Sequence, residues 1–156
     1  MKAVVALLAA ASMLALPAMA GAQNQAQQPS ASPQDESYQP SVSDIMAHQQ
    51  ERHIKLWFAG HAGNWPLADY ELGELSDGFD DIGKMFGGDI VKQHVGGPLD
   101  ALQKAVDDKD SAAFAVAYDK LSAGCNACHH TLDHAFIVIA RPALQPFSDQ
   151  MFGPQK

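Results

Sequence analysis

Residues 110–135, DSAAFAVAYDKLSAGCNACHHTLDHA, carry the most regular pattern in the chain. Phe114, Tyr118, Leu121, Cys125, Cys128, Leu132 and Ala135 follow at spacings of 4, 3, 4, 3, 4 and 3. That is the period of a single buried stripe on a helix packed in a bundle. Asp110 stands where an N-cap is needed. Phe136–Ile139 continues as an apolar run that reads as buried, and Arg141-Pro142 breaks the helix. The segment is predicted as a long last helix, D.

A second stripe lies upstream: Trp65, Ala68, Leu72, Leu75, Phe79, Ile82 and Phe86, spaced 3, 4, 3, 4, 3 and 4. Asn64 is its N-cap, Pro66 falls in its first turn, and Gly87-Gly88 ends it. Asp69, Glu71, Glu74, Asp77, Asp80 and Asp81 fill the opposite face of this helix B. Before it, helix A is predicted from a start near Ser41 or Ser43, with Asp44 in its first turn, to about Ala59, stopping at Gly60. Met46, Gln50, His53 and Trp57 share one face of it, and Glu51–Lys55 is a favourable i, i+4 pair on another. Between B and D, Gly96-Gly97-Pro98 predicts an interruption. A helical turn over 89–94 precedes it, and a short helix C with Leu99, Leu102 and Val106 follows. Four helical segments with short links predict an all-α, up-down-up-down four-helix bundle. The residues after helix D form a C-terminal extension, strapped to the bundle through Phe147 and Phe152.

Outside these helices the chain reads differently. Residues 1–22 combine Lys2, the apolar run Ala3–Leu16 and small residues around Ala20 and Ala22. This is the pattern of a cleaved signal peptide, with an apolar run too short for a membrane span. No Cys marks a lipid anchor at the cleavage site. Residues 23–40, QNQAQQPSASPQDESYQP, are too polar to offset the entropy of ordering and read as a flexible leader. Residues 41–156 are then the folded domain. The expectation is a soluble exported protein of a bacterial periplasm, with no membrane span after cleavage.

Composition narrows the function. Ten Lys and Arg against 18 Asp and Glu give a net charge of −8, so nucleic acid is a poor partner. Two cysteines are too few for a disulfide-stapled miniprotein. Their spacing is more telling. Cys125, Asn126, Ala127, Cys128 and His129 form C-x-x-C-H. Residues three apart share a helix face, so both thiols can add to the vinyl groups of one haem, with His129 as iron ligand. Other uses of the cysteines fit less well. A thioredoxin-like dithiol needs an exposed Cys at a helix start after a strand. A zinc site from Cys125, Cys128, His130 and His134 would draw all its ligands from one short segment, unlike most structural zinc sites. A disulfide between i and i+3 would strain the helix.

A haem motif on the last helix of a bundle resembles the class II c-type cytochromes, cytochrome c′ and its six-coordinate relatives. The resemblance covers about residues 41–135. It implies one covalent haem c, thioether bonds to Cys125 and Cys128, and His129 as proximal ligand. Relatives carry an Arg on the first helix at the haem propionates, and Arg52 corresponds; Arg141 is the other candidate. Members are often dimers through their first two helices, so a homodimer enters from the resemblance alone. The chain departs from the family in its extension past helix D and in its short helix A.

The sixth iron position decides between functions. In an antiparallel A–D pair, His129 is level with the start of helix A, where Met46 fits best. Met46 is either the distal ligand or a core methionine; His53, on the same face, is the alternative ligand or a buried histidine. The leading expectation is electron transfer without substrate chemistry; the acidic face of helix B is either a solvated face or one that steers a basic redox partner. The alternative is a five-coordinate haem protein that binds small gases such as NO or CO. No distal acid–base pair for a peroxidase is visible.

Overall fold

A computed structural model describes residues 39–155. The signal-peptide expectation and all but the last two residues of the leader lie outside the described residues. Ser41, rather than Ser43, caps α1 (Val42–His61). Its hydroxyl accepts from the Asp44 amide at 3.2 Å, and Asp44 accepts from the Ser41 amide at 3.0 Å, a capping box. α2 (Trp65–Phe86) begins at Asn64 with Pro66 in its first turn and ends at Gly87.

The predicted interruption at Gly96-Gly97-Pro98 does not occur. α3 (Gly88–Val91), a π-helical turn (Lys92–Gly96) and α4 (Gly97–Asp107) follow without a break, with Gly96 and Gly97 at φ −57° and −60°. Pro98 has no N–H to give the carbonyl four residues back, and the wider π turn absorbs that missing bond.

α5 (Ser111–Thr131) is capped by Asp110, whose carboxylate accepts from the amides of Ala112 and Ala113. It stops short of Ala135, correcting the longer predicted stripe. The His134 amide reaches back to the His129 carbonyl at 2.7 Å and the Asp133 amide to the His130 carbonyl at 3.4 Å, with Asp133 at φ 61°. This is a Schellman ending on an aspartate, one of the few non-glycine residues that tolerate the left-handed region. The helix stops where its neighbour starts. His53 of α1 faces Tyr118 and Ser122 of α5, which puts Thr131 level with the first turn of α1. Further turns would have nothing to pack on. The run after the helix is correspondingly not buried: Phe136 is 79 % and Val138 72 % exposed.

Side-chain pairs give the helix order. Gln49 and Arg52 of α1 reach Leu75 and Glu71 of α2, Gln103 of α4 reaches Asp69 of α2, and His94 reaches Thr131 of α5. The result is an all-α bundle of antiparallel neighbours, its third member running through the π turn. Leu56, Leu72, Leu75, Ile82, Leu102, Phe114 and Leu121 form the core. Two predicted faces shift. The buried side of α1 runs through Ile45, Gln49, His53, Leu56 and Trp57, with Gln50 exposed. Glu71 leaves the acidic face of α2 and is buried against Arg52.

Beyond Thr131 the chain returns along α5 as the expected strap. Arg141 makes two bonds to the Asp119 carboxylate, at 3.1 and 2.6 Å, and lies 4.2 Å over the Trp57 ring. Phe152 is buried beside Phe58, and Gly153 accepts from Asn64. No helix among the described residues is long and apolar enough to cross a membrane.

Candidate functional site

A cavity of about 360 Å³ opens at the end of the bundle where α1 begins and α5 ends. Five parts of the chain build it. α1 supplies Met46, Gln50 and His53; Leu75 and Phe79 come from α2, with Val91 and Val95 from the third member of the bundle. α5 supplies Cys125, Cys128 and His129, and the strap adds Ile137, Val138 and Ile139. Its size is within the range of small-molecule and cofactor pockets.

The helical period puts both thiols on the cavity side of α5, and the cysteines are free. Burial and the neighbouring Cys128 push the Cys125 thiol up to about 12, and burial raises Cys128 as well. Such thiols are protonated at neutral pH. That is the reverse of a poised redox dithiol, whose thiolate is stabilised near a helix N-terminus. Among the described residues no three His, Cys, Asp or Glu side chains converge to hold a bare metal ion. The four residues of the zinc alternative are therefore not gathered.

His129 is half-buried, and its Nδ1 lies 3.0 Å from the Ile137 carbonyl. A carbonyl only accepts, so Nδ1 carries the proton and Nε2 keeps its lone pair. Among the described residues nothing hydrogen-bonds to that Nε2.

The α1 wall holds Met46 and His53, so both distal candidates reach the cavity with Cys125, Cys128 and His129. They differ in commitment. His53 is only 4 % exposed, with Nδ1 2.8 Å from the Tyr118 hydroxyl and Nε2 2.9 Å from the Ser122 hydroxyl. Burial lowers its pKa to about 4, so it is neutral at ordinary pH. To ligate, it would have to give up Ser122. No hydrogen bond among the described residues engages the half-buried Met46 thioether.

Neither arginine lines the cavity. Arg52 sits on the α2 side, 3.1 Å from Glu71 and 3.0 Å from Glu74. Arg141 is held by Asp119. The reading of the sequence did not anticipate the strap as a cavity wall, or the Tyr118 and Ser122 partners of His53. It also gave Asn126 no role. The apolar run Phe136–Ile139 was the available signal for the wall; the hydrogen-bond partners had none.

The residues present fit a covalent haem. Two thiols and an imidazole with a free Nε2 line one apolar cavity, and a porphyrin asks the protein for only one or two further ligands. No family model, curated protein or solved structure matches the chain.

Proposed function

We propose that the protein is an exported electron-transfer cytochrome of the class II c type, with one haem c in this cavity. The observation that carries the reading is the convergence of Cys125, Cys128 and His129 on one apolar cavity, with Met46 lining the same cavity. A haem bound there supplies one-electron exchange between ferric and ferrous iron. Cys125 and Cys128 hold it through thioether bonds, His129 offers Nε2, and Met46 is the distal side chain free to offer a thioether. Leu75, Phe79, Val91 and Val95 exclude water. The export reading rests on residues 1–22, and a periplasm is where bacterial c-type haem is attached. Asp77 and Asp80, exposed on α2, would face a basic redox partner.

The engagement of both His53 nitrogens also favours a second reading. If Met46 is packing only, no other Met or His among the described residues of that wall is free to ligate, and the apolar pocket would admit NO or CO to a five-coordinate iron.

The experiment is expression of the full chain with a cytochrome maturation system. A pyridine haemochrome spectrum of the c type, with haem that resists acid–acetone extraction, is expected. A colourless periplasmic product with both thiols freely titrating would end both readings. A low-spin ferric spectrum supports the carrier; a high-spin one with ready CO binding supports the gas reading.

A further inference from the structure

The strap and the haem motif are joined by a pair of bonds that helix packing does not require. Asn126, the first residue between the two cysteines, donates its amide N–H to the Ile139 carbonyl at 2.8 Å. The Ile139 amide donates back to the Asn126 side-chain oxygen at 2.7 Å. The side chain thus pairs with Ile139 as one extended chain pairs with another. Asparagine suits this site because it both donates and accepts from a short side chain; Asp could only accept. Two residues earlier in the strap, the Ile137 carbonyl lies 3.0 Å from Nδ1 of His129. The Ile137 amide is tied to His134 at 2.9 Å, so a turn closes the strap between these points.

We infer that Asn126 is a positioning residue for the iron ligand: by fastening Ile139 it holds the Ile137 carbonyl on His129. The inference rests on the haem reading above and extends it. A carbonyl on Nδ1 does two things. It fixes the tautomer that leaves Nε2 for iron, and it makes the imidazole a stronger donor. A stronger donor stabilises ferric over ferrous iron and lowers the reduction potential. The strap is then part of the proximal wall, and the bidentate Arg141–Asp119 pair anchors its next stretch.

The test compares wild type, Asn126→Ala and Asn126→Asp in the full haem-loaded chain. Spectroelectrochemical titration is expected to give an upward shift in potential for Asn126→Ala and none for Asn126→Asp, which keeps the acceptor for the Ile139 amide and adds a negative charge that itself favours ferric iron. Amide hydrogen exchange at Ile139 is expected to accelerate at least tenfold in Asn126→Ala and to stay slow in Asn126→Asp. If Asn126→Ala fails to load haem, Asn126→Leu, which has neither donor nor acceptor for Ile139, carries the potential measurement. A wild-type potential in loaded Asn126→Ala or Asn126→Leu, or an Ile139 amide in the wild type that exchanges as fast as an open chain, would overturn the inference. Ile139 protection can be read whether or not haem is attached. A chain that never takes haem therefore fails the proposed function, while an unfastened strap in a loaded chain fails only this inference.

Discussion

The Tyr118 hydroxyl lies 2.8 Å from Nδ1 of His53, joining α5 to α1 behind the cavity wall. Ser122 takes the other ring nitrogen at 2.9 Å and lies within 3.1 Å of the Tyr118 carbonyl. His53, Tyr118 and Ser122 are all buried, so this closed set of bonds has no water to replace a lost partner. Each hydroxyl also has a backbone carbonyl in reach of its hydrogen, that of His53 for Tyr118 at 2.8 Å and that of Tyr118 for Ser122 at 3.1 Å, and burial is what keeps the His53 ring neutral.

This sets the pH dependence of stability. The folded pKa of His53 is depressed from 6.5 to about 4. In that interval the unfolded chain binds the proton and the folded chain does not. The contribution of His53 is therefore complete above pH 6.5 and is lost as pH falls towards 4. The full loss is roughly 3 kcal/mol. Thermal unfolding of the protein at steps from pH 7 to pH 4 is expected to show the midpoint falling. His53→Gln should start lower at pH 7 and show a shallower slope through this range. An equal slope in the variant would mean that other groups cause the acid loss.

Met46 and His53 share a wall but predict different spectra. In the haem-loaded protein, Met46→Ala is expected to convert a low-spin ferric spectrum to high-spin and abolish the far-red charge-transfer band of Met ligation. His53→Gln should leave both in place, because its nitrogens are already engaged. If the Met46→Ala spectrum is unchanged, the thioether is packing only. The variant then costs about 1–2 kcal/mol, a fraction of the usual loss for a fully buried methionine.

Much of this arrangement is legible in the sequence, for identifiable reasons. The α2 stripe and the first part of the α5 stripe keep helical period, and their caps are strong, so both helices lie where Asn64, Gly87 and Asp110 put them. The motif spacing places both cysteines on one face, and antiparallel register brings Met46 to their level. What sequence misses depends on tertiary partners. The end of α5 is set by where α1 begins. The turn at Gly96–Pro98 reads as a break because propensity cannot see a π turn. Glu71 looks solvated until Arg52 is found beside it. Asn126 is an unremarkable filler residue until Ile139, thirteen positions away, is folded back onto it.

Arg52 gives a separate test, because its two carboxylates place it away from the cavity. Its side chain is 25 % exposed, whereas that of Glu71 is 2 % exposed. Burial pushes the Glu71 carboxyl up, and the bond and charge from Arg52 pull against that. Arg52→Ala would leave an unpaired carboxylate and is expected to cost roughly 2–3 kcal/mol at pH 7, the low side for a broken buried pair. The loss should shrink on acidification, since an acid with a raised folded pKa takes up a proton and ceases to be a buried charge. Glu71→Gln should cost less. Denaturation at pH 7 and pH 5 measures both. The haem spectrum and potential of Arg52→Ala are expected to match wild type; a clear shift in potential would return Arg52 to the haem propionates.

Gly124 tests whether the helix carrying the motif depends on its approach to the third member of the bundle. A Cβ built on Gly124 would run into the His94 carbonyl oxygen and lie 3.3 Å from a Val95 methyl. The first is backbone, so no rotamer change relieves it. The His94 carbonyl lies where Pro98 removes the usual helical donor, and the glycine lets α5 lie against it there. Gly124→Ala must push α5 away from the π turn next to Cys125. Overpacking of this kind costs about 1–3 kcal/mol, and the small gain in helix propensity from Gly to Ala offsets only part of it. A lower unfolding midpoint is expected, together with a smaller fraction of chains carrying haem by haemochrome yield per protein. Gly73, with nothing within 4 Å of its own added Cβ, is the control. Gly73→Ala should raise the midpoint slightly and leave the yield unchanged. A Gly124→Ala protein as stable and as fully loaded as wild type would show that the close approach at His94 does not position the motif.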